Sequence, residues 1–176
     1  IIAVEEIARI DGSQAATIAA GNSLGIGPIH YFGTEEQKRK YLPPLCRGEG
    51  IWGFGLTEPT AGSDAGGSQT AAVPDGDGWV LNGSKIFITN AANPLTGVII
   101  VQAVTGGAGT GKPELSCLIV PADAPGFVQF TCSLQHQQPD LVQFQSRAGD
   151  PFLHLFPLNN RLAESSALAC PLNHQA

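Results

Sequence analysis

The stretch LTEPTAGSDAGG, residues 56–67, decides how the rest of the chain is interpreted, because a hydrophobic run that favours a strand leads directly into a loop of small residues. The glycines of this loop let the backbone approach a flat or anionic ligand closely. Its exposed N–H groups and the hydroxyls of Thr57 and Ser63 would form a concave surface rich in hydrogen-bond donors. Such a surface suits the polar edge of a heterocycle or a pyrophosphate, and an ordinary surface turn is the alternative on composition alone.

Residues 50–128, on either side of this loop, have the pattern of a β domain. Short runs rich in β-branched and aromatic residues alternate with turn residues, and residues 74–78 (PDGDG) indicate a hairpin loop. Asn82-Gly83 indicates a second turn. No helical period separates the runs, so we predict a mainly antiparallel sheet or small barrel rather than a doubly wound sheet. The predicted strands are residues 51–56, 68–73, 79–81, 86–89, 98–105 and 115–120.

The residues before this β domain, 1–49, have helical periodicity. Apolar residues recur on one face over residues 1–10, which predicts a first helix. Asp11-Gly12-Ser13 then breaks it, and Asp11 or Ser13 can cap a second helix over residues 14–22.

A third helix is predicted after residue 34. Thr34 and Gln37 have the spacing of a capping box, and two glutamates lie between them at the positive end of the helix dipole. Pro43-Pro44 is predicted to end this helix, because proline cannot continue the backbone hydrogen bonding.

The end of the chain, residues 129–176, is rich in glutamine, contains no lysine and has one glycine. Its patterning supports no secondary-structure assignment. We therefore predict an α+β protein in three segments: a partial N-terminal helical domain over residues 1–49, a truncated middle β domain over 50–128, and an atypical, unassigned tail over 129–176. A frameshifted or otherwise non-homologous tail and a divergent end of the domain are the two explanations for this last segment.

The overall composition excludes several classes of protein. Of the 176 residues, 43% are hydrophobic and 14% are charged, which is typical of a folded domain rather than a disordered tail. The net charge of −6 argues against an extended face for nucleic acid. No apolar run approaches the ~20 residues that span a bilayer. The four cysteines lie far apart, without a C-x-x-C pair, so we expect neither a metal centre nor a dense disulfide scaffold.

Residues 21–25 (GNSLG) match the G-x-S-x-G pattern of a hydrolase nucleophile elbow, which would place Ser23 on a tight strand-to-helix turn. The flanking residues contradict this interpretation, because the preceding segment is alanine-rich and Pro28 follows closely. We therefore interpret the glycines as the C-terminal cap of a helix near Gly21 or Gly25.

Residues 106–112 match the first seven positions of a P-loop. The eighth position needs a hydroxyl to hold magnesium, but Pro113 occupies it. The next residues favour a strand, so no helix N-terminus would face a phosphate. The prediction here is a flexible, glycine-rich hairpin loop.

Residues 56–67 and residues 82–91 (NGSKIFITNA) together resemble the acyl-CoA dehydrogenase family. The run GTEEQKRKYLPPLCRGE, residues 33–49, is similar to the end of that family's N-terminal helical domain. The resemblance covers roughly residues 1–128. It implies a helical N-terminal domain, a middle β domain and a C-terminal four-helix domain, with FAD between the last two. It also implies oxidation of an acyl-CoA thioester to the 2,3-enoyl product.

The resemblance further implies a set of site residues. Thr57 would hydrogen-bond the flavin ring, and Ser63 would contact both FAD and the phosphate region of acyl-CoA. The Thr89 hydroxyl would lie near flavin N5. Most members carry Trp where this chain has Phe87, which keeps an apolar wall but loses the indole N–H. Residues 87–89 are expected to form the strand that covers the flavin. The implied cofactor-binding residues are Phe54, Gly55, Leu56, Thr57, Gly62, Ser63, Phe87, Ile88 and Thr89.

No catalytic residue is assigned. The family's base is a Glu in the C-terminal helical domain, and nothing around Glu164, the only Glu after Glu114, matches it. Glu58 and Asp64 are interpreted as fixing or capping their loop. We therefore expect the chain on its own to be inactive and to bind FAD weakly or not at all.

Partners and location follow from the same resemblance. It implies acyl-CoA as substrate, electron-transfer flavoprotein as electron acceptor and a homotetramer, in the bacterial cytoplasm or the mitochondrial matrix, with no nucleic-acid or membrane partner. Two alternatives stay open. One is a non-catalytic binding or interaction module that reuses the β domain. The other is a relative of the flavin acyl-CoA oxidases or nitroalkane oxidases, which share the β-domain motifs.

Overall fold

A run of helices leads into a mixed β-sheet in the computed structural model, which describes residues 1–107, 109, 111–130, 141–148 and 154–157. The predicted α+β class is confirmed. The α-helices are α1 (Ile2–Ala8), α2 (Gly12–Ala20), α3 (Gly27–Phe32) and α4 (Glu35–Cys46), and a π-helical turn (Gly21–Ile26) joins α2 to α3. Over the ranges given above, no helix has the length and apolar character needed to cross a membrane.

The start of α4 is as predicted, and Asp11, one of the two predicted candidates, caps α2, which begins at Gly12 rather than at residue 14. The Asp11 carboxylate accepts hydrogen bonds from the N–H groups of Ser13 (2.8 Å) and Gln14 (3.2 Å). At α4, the Gln37 N–H donates to the Thr34 hydroxyl (3.2 Å) and the Thr34 N–H donates to the Gln37 side chain (2.8 Å), which completes the capping box.

The predicted end of the third helix is wrong, since α4 continues through Pro43 and Pro44 to Cys46. Proline lacks an N–H, but its fixed φ fits a helix and its carbonyl still accepts. The carbonyls of Pro43 and Pro44 accept hydrogen bonds from the N–H groups of Arg47 (3.1 Å) and Glu49 (3.0 Å).

The predicted helix cap at Gly21 or Gly25 is also wrong, because the backbone stays helical from α2 through the π-helical turn into α3. Gly25 instead provides space, since a Cβ there would lie 3.2 Å from the Cβ of Trp52. Ser23 lies within the π-helical turn and donates to the Ala19 carbonyl (2.8 Å). This backbone-bonded hydroxyl is not on a nucleophile elbow.

The strands that the structure describes form one sheet. They are β1 (Ile51–Gly55), β2 (Ala71–Asp75), β3 (Gly78–Ile86), β4 (Thr96–Gly106), β5 (Glu114–Pro121), β6 (Phe127–Phe130), β7 (Leu141–Ala148) and β8 (His154–Pro157). The sheet is built around β4, which pairs antiparallel with β5 along one edge and parallel with β1 and β2 along the other. The strand order is β6-β7-β3-β2-β4-β5-β8, and all pairings that do not involve β4 are antiparallel.

The core lies on β4 and β5. Ile99, Ile100 and Val101 are consecutive and all fully buried, and so are the residues of β5 that pair with them. The helical segment joins this core through Tyr41 of α4, whose ring meets that of Trp52 edge-on at 5.7 Å between centroids. The helices are thereby fixed against the end of the sheet where β1 begins.

Of two turns predicted in the β domain, one is confirmed and the other is wrong. The glycine-rich segment after Gly106 connects β4 to the antiparallel β5 and is followed by no helix, so the hairpin prediction is confirmed and the P-loop is excluded. The turn predicted at Asn82-Gly83 is wrong, because both residues lie inside β3. A Cβ at Gly83 would lie 2.7 Å from the Cα of Thr70, so glycine is present for close approach rather than for a turn.

Strands also occur beyond residue 128, where the sequence supported no assignment. β7 pairs with β3 over eight residues, and β8 pairs with β5. These pairings place part of the predicted tail within the same sheet. The hypothesis about Glu164 lies outside the described residues.

Candidate functional site

A cleft of about 500 Å³ lies between the helical segment and one end of the sheet. The segment that follows β3 forms one edge of the opening. The cleft is lined by Ser13, Ala16, Thr17, Ala20, Gly21, Leu24, Gly25, Trp52, Gly53, Phe54, Leu56, Thr57, Phe87, Thr89 and Asn90.

The helical wall of the cleft is a stripe of residues spaced three or four apart, as one face of a helix requires. Its members are small, except for Leu24, so the cleft keeps its volume although the helix packs directly on the sheet. Sequence reasoning missed this wall. The sequence does contain a signal for this wall, which is a helical spacing of small residues. Ser13–Thr17 and Ala16–Ala20 are four residues apart, and Gly25 follows Gly21 by one turn.

The sheet wall is the end of β1 and the residues that follow it. Trp52 and Phe54 supply aromatic surface, and Leu56 and Thr57 continue the wall past the last residue of the strand. The Thr57 carbonyl accepts a hydrogen bond from the N–H of Ile86 (2.9 Å), so this segment is tied to the end of β3.

The opposite edge of the opening, residues 87–90, is a turn rather than the predicted strand, because β3 ends at Ile86. Phe87 and Asn90 both have left-handed backbone angles (φ 57° and 69°); asparagine tolerates this region, whereas a bulky residue such as Phe87 adopts it where the surroundings impose it. The Asn90 carbonyl accepts from the Thr96 hydroxyl, and the Asn90 side-chain amide donates to the Trp52 carbonyl (3.5 Å). These bonds hold the turn against β1 and β4.

The structure places the sequence-predicted site residues in four different surroundings. Ile88 is buried in the core, Gly55 faces the side chain of Lys85, and Gly62 and Ser63 lie on the loop outside the cleft. The residues that it brings together around the cleft are Phe54, Leu56, Thr57, Phe87 and Thr89. Two of the three predicted hydroxyl groups, those of Thr57 and Thr89, therefore share one cleft, and that of Ser63 does not.

A buried ion pair lies directly beneath the Thr57 segment. The Lys85 ammonium donates to the Glu58 carboxylate (2.7 Å), to the Ser68 hydroxyl (3.0 Å) and to the Leu56 carbonyl (3.1 Å). Lys85 is fully buried and Glu58 is 4% exposed. The same carboxylate accepts from the Ser68 hydroxyl and from the N–H groups of residues 69 and 70, so it closes the loop of residues 59–67. The interpretation of Glu58 as a loop-fixing residue is confirmed.

The ionisation of both groups is shifted by this environment. Burial alone would raise the pKa of Glu58, but hydrogen bonds from Lys85, Ser68, Thr70 and Gln69 outweigh it and lower the pKa to about 2. Burial lowers the pKa of Lys85, an effect that the neighbouring carboxylate opposes.

The low pKa of Glu58 predicts acid-sensitive stability. An unfolded Glu has a pKa of about 4.3, so a native value of about 2 corresponds to roughly 3 kcal/mol of stability. This contribution is fully present above the unfolded pKa, and it is lost as the pH falls from about 4.3 to about 2. Urea unfolding between pH 6 and pH 2.5 measures it. We expect Glu58→Gln to flatten the pH dependence in that window and Glu36→Gln, on the exposed face of α4, to leave it unchanged; equal slopes in the two variants would contradict the assignment.

Family models match both parts of the chain. Residues 1–49 match the model described as "Acyl-CoA dehydrogenase, N-terminal domain", and residues 53–133 match "Acyl-CoA dehydrogenase, middle domain". The second match therefore begins within β1 and includes the sheet wall of the cleft from Gly53 onward and the opposite edge over residues 87–90.

Individual proteins agree with these models. The chain is 54% identical over 125 residues to a probable acyl-CoA dehydrogenase, YngJ, of Bacillus subtilis, which covers 71% of this chain and 32% of the relative. It is 43% identical over 125 residues to the mitochondrial short-chain specific acyl-CoA dehydrogenase of Bos taurus, covering 71% of this chain and 30% of that protein. Among solved structures, a glutaryl-CoA dehydrogenase from Mycobacterium smegmatis in complex with FADH2 matches with a TM-score of 0.74 at 31% identity. That match covers 86% of this chain and 38% of the other, and the chain spans about a third of the length of the curated relatives that it matches.

Proposed function

Since the chain belongs to the acyl-CoA dehydrogenase family, we propose that it supplies the flavin-facing wall and part of the helical wall of an FAD-dependent enzyme that oxidises acyl-CoA thioesters to their 2,3-enoyl products. One observation carries the proposal: Thr57 and Thr89 come from distant parts of the sequence and line the same cleft, between aromatic side chains.

The residues of the cleft fit a flavin ring in shape and in chemistry. Trp52, Phe54 and Phe87 offer flat apolar surface, and Phe87 is 68% exposed, which leaves its ring available to a planar ligand. Thr57, Thr89 and the Asn90 amide offer hydrogen-bond donors at the edges. FAD, when bound, supplies the group that accepts a hydride from the substrate.

The work of this chain is to bind, orient and exclude water. The Thr57 and Thr89 hydroxyls would hydrogen-bond the polar edge of the ring and fix its position, with Thr89 close to N5. Leu24 and Leu56 border the same space and would keep water away from it. Ser63 lies on the loop outside the cleft, and we propose that it would meet a phosphate-bearing part of FAD or acyl-CoA rather than the ring.

The residues that line the cleft include no carboxylate, although the reaction needs a base for the substrate α-proton. Glu58 is close in sequence but buried, fully hydrogen-bonded and held at a pKa of about 2. A group with that pKa is too weak a base for this role. The base must therefore come from outside the described walls of the cleft, and we expect no acyl-CoA dehydrogenase turnover from the isolated chain with an artificial electron acceptor.

Flavin affinity tests this proposal. We expect the isolated chain to bind FAD weakly, and Thr57→Val with Thr89→Val to weaken binding by about tenfold or more, because each change removes a hydrogen bond worth roughly 1 kcal/mol. Equilibrium titration with millimolar FAD, followed by flavin fluorescence, measures the effect. Thr60→Val is the matched control, since Thr60 is exposed and lies outside the cleft. Equal affinities for the wild type and the double variant would contradict the proposal.

The finer assignments belong to the same proposal. Electron-transfer flavoprotein would receive the electrons, and the complete enzyme would be a homotetramer. Relatives occur in bacteria and in mitochondria, which supports a location in the bacterial cytoplasm or the mitochondrial matrix. Oxygen consumption by a full-length protein that contains this chain separates the dehydrogenase from a flavin acyl-CoA oxidase or nitroalkane oxidase.

A further inference from the structure

The end of β3 contacts both edges of the cleft opening. Lys85 donates to the carbonyl of Leu56 and Ile86 donates to the carbonyl of Thr57, so both peptide groups that flank the Thr57 side chain are held by consecutive residues of one strand. The residue after them, Phe87, begins the opposite edge, which continues to Thr89. The relative positions of Thr57 and Thr89 therefore depend on these two bonds together with the bonds of Asn90 that hold the turn.

All the side-chain hydrogen-bond donors of Lys85 are used within this arrangement. Its ammonium has three N–H donors, and they have three acceptors, on Leu56, Glu58 and Ser68. Gly55 makes room for the side chain, since a Cβ at Gly55 would lie 3.3 Å from the Cγ of Lys85. No part of the lysine reaches solvent.

Stability alone does not account for a buried ion pair at this place. Removing two charges from water is costly, and a well-packed apolar pair of similar volume is often equally stable. An apolar side chain, however, cannot donate to the Leu56 carbonyl. The feature that lysine adds here over an apolar side chain is a hydrogen bond to the peptide group before Thr57.

We propose that Lys85 is a positioning residue that orients the Thr57 hydroxyl toward the cleft through its bonds to the Leu56 carbonyl and the Glu58 carboxylate. The proposal rests on the proposed function, because it is the flavin ring that the Thr57 hydroxyl would meet. It assigns Lys85 no contact with the ring or the substrate. A purely structural role for Lys85 would predict the same fold but no specific effect at Thr57.

The test compares the wild type with the double variant Lys85→Met/Glu58→Gln, which removes both charges and keeps the approximate shapes. The readouts are the melting temperature, the backbone order parameters and the amide shifts caused by FAD at Thr57 and Thr89. Lys38→Met/Glu35→Gln, which removes an ion pair from the surface of α4, is the matched control.

We expect the double variant to melt within about 5 °C of the wild type, while the order parameter of Thr57 falls from about 0.85 to below about 0.6. FAD should still shift Thr89, its shift at Thr57 should disappear, and its affinity should fall about fivefold, as for one lost hydrogen bond of roughly 1 kcal/mol. The control should match the wild type in every readout. An unchanged Thr57 order parameter in a folded double variant would overturn the proposal.

Two further results separate the possible failures. If FAD shifts no residue of the wild type, the proposed function fails, whereas the order parameter at Thr57 still decides whether Lys85 positions this segment. If the double variant does not fold, hydrogen exchange of the Ile86 amide in the wild type decides. If the Ile86 amide exchanges only through global unfolding, its bond to Thr57 is stable in the native state and the proposal is supported. If it exchanges through a low-energy local opening, the proposal is overturned.

Discussion

Replacing Lys85 by Met is expected to lower the free energy of unfolding by about 3–5 kcal/mol, a large share of the roughly 5–15 kcal/mol that stabilises a folded domain. Met keeps the length of the side chain, so packing against Gly55 is largely preserved. The Glu58 carboxylate, 4% exposed, would remain buried without its counter-charge, and the Leu56 carbonyl would lose its donor. Urea unfolding followed by tryptophan fluorescence measures the change.

Lys38→Met is the matched control for this experiment. Lys38 also forms an ion pair with a glutamate, at 2.9 Å, but on the exposed surface of α4, where such pairs contribute between 0 and about 1 kcal/mol. If Lys85→Met lowered the free energy of unfolding by no more than Lys38→Met, the buried Glu58 carboxylate would not depend on Lys85, and the account of the buried pair would be contradicted.

Replacing Gly83 by Ala is expected to cost roughly 3 kcal/mol or more. The added Cβ would lie 2.5 Å from the hydroxyl oxygen and 2.7 Å from the Cα of Thr70, and because the second contact is with backbone, no rotamer change relieves it. Overpacking of this kind costs about 1–3 kcal/mol, and the backbone angle of Gly83 (φ +156°) adds strain for a residue with a Cβ. Chemical denaturation measures the loss.

Gly97→Ala provides the comparison within the same sheet. Gly97 lies in β4, and a Cβ there would meet no heavy atom within 4 Å. Its replacement should be neutral or stabilising by up to about 1 kcal/mol, because alanine reduces the entropy of the unfolded chain. Similar destabilisation by the two substitutions would mean that Thr70 and β3 are not packed as described.

Features decided by neighbours in sequence were predictable. The capping box at Thr34 and Gln37 was found from spacing alone, and Asp11 was one of two candidates for the cap of α2; both caps involve partners within three residues. Pairings decided across the chain were not. The parallel neighbours β1 and β4 are separated in sequence by residues 56–95, and no local pattern in that segment predicts that these two strands pair.

Glycine at position 83 illustrates why a local signal fails. Asn-Gly favours a tight turn, but here the glycine is needed because Thr70 crosses at a distance that excludes a Cβ. Thr70 lies 13 residues before Gly83 in sequence, so the reason for the glycine is a distant contact and not a local turn. The end of β3 at Ile86, rather than at Thr89, follows equally from contacts that Asn90 makes with β1 and β4.

The candidate site was predictable only on its sheet side. Residues 56–67 and 82–91 identified Thr57 and Thr89, but not the helical wall. Lys85 was part of the second segment, and its burial could have been inferred from its spacing with Leu81, since residues four apart on a strand share a face. Its ion pair with Glu58 spans 27 residues, which only the folded sheet reveals.

The most direct test of the central claim maps FAD onto the chain by amide and indole NMR shifts. The two tryptophans serve as internal probes, because Trp52 lines the cleft and Trp79 lies at the far end of β3, outside it. We predict that FAD shifts the Trp52 indole and the amides of Thr57, Thr89 and Asn90 together, along one binding curve, and leaves Trp79 unchanged. Shifts confined to the exposed loop around Ser63, or equal shifts at both tryptophans, would contradict a flavin site in this cleft.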